Sequence, residues 1–235
     1  IQTARESGKK TFAVIEDRSK GGAPTGLSMG LSKLDDLTGG LHSGELFIIA
    51  ARPGVGKSAL AVCIARHVAT DGTPVFFYSA EMPAQTLMIR MLSGATGLDS
   101  HKLRRGAVFG ESWASLARAA ESIGSIPLFI DDGSDMTPAE LRATMRRVKA
   151  EHAIGLLIVD YMQLMKANGR YETREREVAE ISRTLKGIAM ELSIPVIGLS
   201  QLNRKVEDRL DKRPLLSDLR ESGAIEQDAD VIAFV

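Results

Sequence analysis

Six short apolar runs punctuate this chain, and between them apolar positions recur every three or four residues. The runs are 46–50, VFFYSA (75–80), PLFID (127–131), LLIVD (156–160), PVIGLS (195–200) and VIAFV (231–235). Most are nearly unbroken, which is how strands covered on both faces read. The intervening stripes are Leu60, Ile64 and Val68; Trp113, Leu116, Ala120 and Ile123; Leu141, Met145 and Val148; and Val178, Ile181, Leu185, Ile188 and Leu192. Each makes one apolar face of an amphipathic helix, and core packing accounts for all of them. Strands alternating with helices predict an α/β fold: a mostly parallel sheet with right-handed crossovers and helices on both faces. Before this pattern starts, residues 1–26 are polar and end in a Gly/Pro-dense stretch, which reads as a linker with a short helical patch within 1–16.

The first apolar run leads into chemistry. In LFIIAARPGVGKSAL (46–60) a strand breaks at Arg52-Pro53-Gly54, meets Gly56-Lys57-Ser58 and continues with helix periodicity. Strand, glycine-bearing loop, Lys-Ser and helix in that order form a phosphate-binding loop. Gly54 and Gly56 allow backbone angles that a Cβ would forbid. Successive N–H groups then form a concave nest at a helix N-terminus, where an anion is favoured. The expected nucleotide contacts are Arg52, Pro53, Gly54, Val55, Gly56, Lys57, Ser58 and Ala59, with Lys57 on the β/γ-phosphates and the Ser58 hydroxyl on Mg²⁺. Ala51 stands where the usual first glycine of this motif falls.

Composition narrows the setting. The 235 residues carry 30 basic and 30 acidic side chains, so no global positive field advertises nucleic acid, and any such contact must be local. One cysteine, Cys63, excludes an internal disulfide framework and suits a reducing, cytoplasmic setting; it is expected as a small buried hydrophobe. The four histidines show no ligand spacing, and no apolar run approaches the roughly 18 residues of a membrane span. The abrupt start at Ile1 and the finish in an apolar run read as the ends of a fragment.

In an open parallel sheet, ligands bind beyond the carboxyl ends of the strands. Glu81 follows the second run, Asp160 ends the fourth and Gln201 follows the fifth. Asp160 is the candidate metal-side acid, Glu81 the candidate general base, and Gln201 an uncharged group able to sense a γ-phosphate. The segment after Gln201 is dense in Arg, Lys and acids. It is either a basic loop coupling a polyanion to hydrolysis or a solvated, ion-paired surface.

At this point the chain resembles the ATPase domain of the DnaB-type replicative DNA helicases, with its RecA-like core. The markers are TGLSMGLSKLDDLTGGLHSGEL, AARPGVGKS, SAEM (79–82), LLIVDYMQLM (156–165), 170–204 and KRPLLSDLRESGAIEQDADVI (212–232). The resemblance covers 26–235. It implies ATP and Mg²⁺ as cofactors, single-stranded DNA as partner and a homo-hexameric ring that unwinds duplex. It makes Lys57, Glu81, Asp160 and Gln201 the catalytic set, with Ser58 and Asp160 on the metal. Arg220, Glu221 and Gly223 fall in the segment that resembles the family's DNA-backbone-contacting loop. Residues 1–26 correspond to the family's linker and 27–235 to an ATPase domain expected to be truncated at its C-terminus, before the family's trans-acting basic residues. Primase and a helicase loader would engage parts outside this chain, and no membrane contact is implied. The alternative is a RecA-like recombinase or clock-type ATPase that assembles without unwinding.

Overall fold

The computed structural model describes residues 3–20, 25–166, 173–209 and 211–235, without the side chains of 17–20 and 220–223 among others. In chain order the elements are α1 (Ala4–Lys20), α2 (Ser32–Thr38), β1 (Leu46–Ala51), α3 (Lys57–Thr70), β2 (Val75–Ser79), α4 (Ala84–Thr96), α5 (Ser100–Arg104), α6 (Ser112–Ser125), β3 (Leu128–Asp131), α7 (Pro138–His152) and β4 (Leu156–Asp160). They continue with a 3₁₀ turn (Met162–Leu164), α8 (Arg174–Leu192), β5 (Val196–Gln201), 3₁₀ segments Arg204–Asp208 and Leu216–Ser222, α9 (Gly223–Asp228) and β6 (Val231–Phe234).

All six predicted strands form, in one parallel sheet ordered β3-β2-β4-β5-β1-β6. Burial follows position. Every residue of β1, β2 and β4 is buried, whereas β3 and β6, at the two edges, are half-buried throughout. The period of two splits each inner strand between two cores. Ile48 and Ala50 face the cluster built with α7 and α8, where Leu141, Met145, Val178, Ile181, Leu185 and Ile188 are buried. Phe47 and Ile49 face the cluster built with α3 and α4, through Ile64, Val68, Leu87 and Met91. Fully burying one such aliphatic side chain contributes about 2 kcal/mol.

Helix starts follow local chemistry. Thr137 and Glu140 form a reciprocal capping box with Pro138 in the first turn of α7, and Thr173 caps α8. Two expectations need correction. Of the α6 stripe only Ile123 is buried; Trp113 is 57% exposed, because α6 lies at the outer margin beside α4. Cys63 is exposed, since it points off the core-facing stripe of α3 set by Ala61, Ile64, Ala65 and Val68. The helical patch predicted within 1–16 forms as the longer α1, whose described side chains are all exposed, Phe12 and Ile15 included.

Candidate nucleotide-binding site

The carboxyl ends of β1 and β5 and the residues just beyond β2 converge on one cavity of about 590 Å³; Asp160, at the end of β4, is fully buried and is not among the lining residues. Among the expected nucleotide contacts Arg52, Pro53, Gly54, Gly56, Lys57, Ser58 and Ala59 line it, as do Glu81 and Gln201. Val55 is exposed and is not among the lining residues. The loop takes the backbone its glycines allow, with φ of 82° at Gly54 and 120° at Gly56. Gly56 caps α3, and Lys57 is its first residue, so the helix start, whose first N–H groups have no partner within the helix, lines the cavity. Ala51 needs no such freedom. It closes β1 as a regular strand residue, paired with Gln201.

Lys57 is half-buried. Desolvation holds its pKa below the usual lysine range, while the charges of Asp160 and Glu81 oppose that shift. Its ammonium lies 4.1 Å from the centre of the Tyr161 ring, a cation–π contact. Asp160 is fully buried, and burial raises its pKa above the usual carboxylate range; the Ser58 hydroxyl and the charges of Lys57 and Arg90 oppose the rise. Ser58 is thus close enough to influence the carboxyl, yet neither Asp160 oxygen has a partner with hydrogen-bond geometry.

A buried carboxylate with both oxygens unpaired is costly unless something positive completes it. Ser58 and Asp160 are hard oxygen donors, the set that suits Mg²⁺. Among the described residues no group of three or more His, Cys, Asp or Glu is placed to hold a metal by itself. A divalent ion here would therefore complete its shell with phosphate oxygens and water. Glu81 differs: it is exposed at the cavity mouth, just beyond the end of β2.

Sequence reasoning missed three participants, Arg90, Tyr161 and Gln163, and the tie that Arg52 makes beyond the phosphate loop. Arg90 on α4 lines the cavity and its charge acts on Asp160. Tyr161 shields Lys57. Gln163 bonds to the end of β5. The guanidinium of Arg52 donates to Glu207 (2.7 Å) and to the Leu202 carbonyl (2.8 Å), joining the phosphate loop to the segment after β5. Of these, only Tyr161 had a sequence signal, its place directly after Asp160. A second cavity of about 360 Å³ adjoins this seam, and both Arg52 and Gln201 line it as well.

The predicted basic loop carries two ion pairs among its described residues: Arg209 donates to Asp218, which is buried, and Arg52 pairs with Glu207. The backbone of Arg220 and Glu221 belongs to the 3₁₀ segment Leu216–Ser222, and Gly223 opens α9. Their side chains lie outside the described residues.

Comparison with known proteins agrees with this geometry. The family described as DnaB-like helicase C terminal domain matches residues 26–235. The chain is 46% identical over 219 residues to the replicative DNA helicase DnaB of Geobacillus stearothermophilus, covering 92% of this chain and 48% of that protein. It is 45% identical over 229 residues to the replicative DNA helicase DnaC of Bacillus subtilis (strain 168), covering 96% and 50%. The chain thus spans about half the length of the curated relatives it matches. Among solved structures, the ATPase domain of G40P superposes with a TM-score of 0.94 at 34% identity, covering all of this chain and 83% of that one. A DnaB-like replicative helicase, studied with its interactions with primase, gives 0.91 at 34% identity, covering all of this chain and 56% of that one.

Proposed function

The chain belongs to the DnaB-like helicase C-terminal domain family, and from that premise we propose that it is the ATP-hydrolysing motor of a replicative DNA helicase. In this reading the complete protein works as a hexameric ring, moving along single-stranded DNA and separating duplex, with primase and a loader bound through parts outside this chain. The observation that carries the reading is the buried, unpaired Asp160 carboxylate close to Lys57 and Ser58 of the phosphate-binding loop. A structural acid at a strand end would be paired or exposed; this one is neither.

The roles follow from position. N–H groups of 54–58 and the Lys57 ammonium bind the phosphates and neutralise charge that develops on the γ-phosphoryl group. Tyr161 and the surrounding apolar residues exclude water from Lys57, which strengthens its interaction with an anion. Ser58 and Asp160 would hold Mg²⁺, which supplies a further positive charge for the phosphate oxygens when bound. Glu81, exposed at the mouth, accepts the proton of the attacking water. Gln201 meets the γ-phosphate from β5 and starts the segment that leads to Arg220, Glu221 and Gly223. Those residues grip DNA phosphates without reading bases, as a motor on any sequence requires.

No membrane-spanning contact enters this reading: among the described residues no helix is long and apolar enough to cross a membrane. The recombinase or clock-type alternative is not favoured, because the named relatives are replicative helicases.

The experiment is strand separation and ATP turnover by the complete protein, with and without oligo-dT. DNA-stimulated turnover together with unwinding is expected. Turnover without unwinding in the assembled protein would return the recombinase or clock-type class to first place.

A further inference from the structure

The hydrogen-bond ladder of the sheet runs out one step before the γ-phosphate-facing residue. β4 and β5 pair from Leu157↔Val196 to Val159↔Gly198 and no further. On its other side β5 stays paired with β1 as far as Ala51↔Gln201. The N–H groups of Val196 and Leu202 both point to the β1 side, donating to the carbonyls of Glu45 and Ala51. Strand alternation therefore turns the N–H of Gln201 to the β4 side. There the partner strand has already ended, at Asp160.

A side chain fills the vacant rung. The Gln163 Oε1 accepts the Gln201 N–H at 3.3 Å, and its Nε2 donates to the Oγ of buried Ser200 at 2.8 Å. The amide can face only one way, since its nitrogen cannot meet an N–H. The Gln163 carbonyl is itself fixed by the guanidinium of Arg174 at the start of α8. Next to it, Met162 sits over Gly198, where an added Cβ would lie 2.7 Å from the Met162 sulfur. The 3₁₀ turn after Asp160 is thus seated on β5 by packing at Gly198 and by hydrogen bonds at Ser200 and Gln201.

We propose that Gln163 is a positioning residue that acts as a substitute strand rung, holding the backbone of Gln201 and tying it to the turn that carries Asp160 and Tyr161. One short segment then joins the metal-side acid, the ring over Lys57 and the γ-phosphate-facing residue. A shift of Gln201 on γ-phosphate loss is transmitted to that turn through a single amide. The functional consequence rests on the proposed ATPase reading; the hydrogen bond itself does not.

The test replaces Gln163 with Met, which keeps length and removes the amide, and with Glu, whose two oxygens can accept from Gln201 and Ser200. Amide exchange by NMR on the full chain is the primary readout. In Gln163→Met the Gln201 amide is expected to exchange about fivefold faster or more, the loss of one ordinary hydrogen bond, while Leu202, held by Ala51, keeps its rate. Gln163→Glu restores protection of Gln201. With ATP and oligo-dT, Gln163→Met keeps KM within about twofold and lowers DNA-stimulated kcat about fivefold or more, the pattern of an interaction that matters after binding.

Ser200→Ala, which removes the far anchor, shifts both readouts the same way by less and serves if Gln163→Met folds poorly. A Gln201 amide exchanging at the wild-type rate, or Gln201 and Leu202 accelerating together, overturns the proposal. So does intact DNA stimulation in Gln163→Met. Wild-type protein without DNA-stimulated turnover would instead sink the ATPase reading, and the exchange result would still decide the rung.

Discussion

At the phosphate-binding edge of the sheet, position is set by backbone and packing. β1, β2 and β4 are buried throughout, α3 starts directly from the glycine loop, and Asp160 is held in a fully buried setting. The neighbouring segment 202–222 is built otherwise. It has two 3₁₀ stretches, and among its described side chains the buried apolar ones are few: Leu202, Val206 and Leu219. Charge pairing supplies much of its order, through Arg52–Glu207 and Arg209–Asp218, with Asp218 also accepting the Leu215 N–H at 2.7 Å. The first region keeps one geometry because moving it would expose apolar surface and break strand hydrogen bonds. The second is held by interactions that salt, pH or a competing polyanion can weaken, which fits the DNA-coupled role proposed for it.

If the two regions divide labour in this way, variants should separate them. The largest effects belong to the rigid edge. Glu81→Gln should still bind ATP·Mg²⁺ while turnover falls on the order of 10³-fold, the loss expected of a general base. Lys57→Ala should lower turnover roughly 10²- to 10³-fold by removing a positioned cation, with the circular dichroism spectrum unchanged. Steady-state turnover with equilibrium binding of a labelled ATP analogue separates the two variants. Wild-type turnover in Lys57→Ala would remove the edge from the chemistry.

Next comes Asp218→Ala, which strips the central acceptor from the second region. It should cost about 1–3 kcal/mol of local order, because the Leu215 N–H loses its acceptor and Arg209 keeps only the Arg213 carbonyl. Faster amide exchange at Leu215, with Lys57-dependent nucleotide binding unchanged, is the expected pattern. Loss of nucleotide binding as well would mean that the two regions are one unit.

A smaller effect is expected of Arg220→Ala in the assembled complete protein. Affinity for oligo-dT should fall, and the slope of log affinity against log salt should flatten by about one for each DNA phosphate that is no longer neutralised. Equal slopes would move the DNA path to Arg204 or Lys205; Arg209 is already committed to Asp218.

The smallest effect is with pH. The Arg52 guanidinium holds the Glu207 carboxyl below its ordinary value of 4.5, first by hydrogen bonding and then by charge. A carboxylate with a lowered folded pKa contributes above its unfolded value and loses that contribution as pH falls through the folded one. The tie between the phosphate loop and the second region is therefore complete at neutral pH and should release below about pH 4.5. The Arg52 Nε–H resonance, followed by NMR on acidification, reports it. A resonance unchanged down to about pH 2, below the range in which a free carboxylate protonates, would show that the tie does not depend on that charge.

Much of this fold was legible in the sequence. All six apolar runs became parallel strands, and the stripes led by Leu141 and Val178 became α7 and α8 with their apolar faces buried. The phosphate loop formed where its glycines require it. These features were legible because they are local: strand and helix periods repeat within a few residues, and a glycine's freedom belongs to that glycine.

Three-dimensional packing decided the rest. It left Trp113 and Cys63 exposed on helices whose stripes alone would not say which flank meets solvent. It made one strand-end acid, Asp160, buried and unpaired and the other, Glu81, exposed. It also joined Arg52 to Glu207 across 155 residues and Gln163 to Gln201 across 38. No period or spacing records such pairings. They arise only when β4, β5 and β1 lie side by side, and the depth of a charge or the partner of an amide is a property of that neighbourhood, not of the residue.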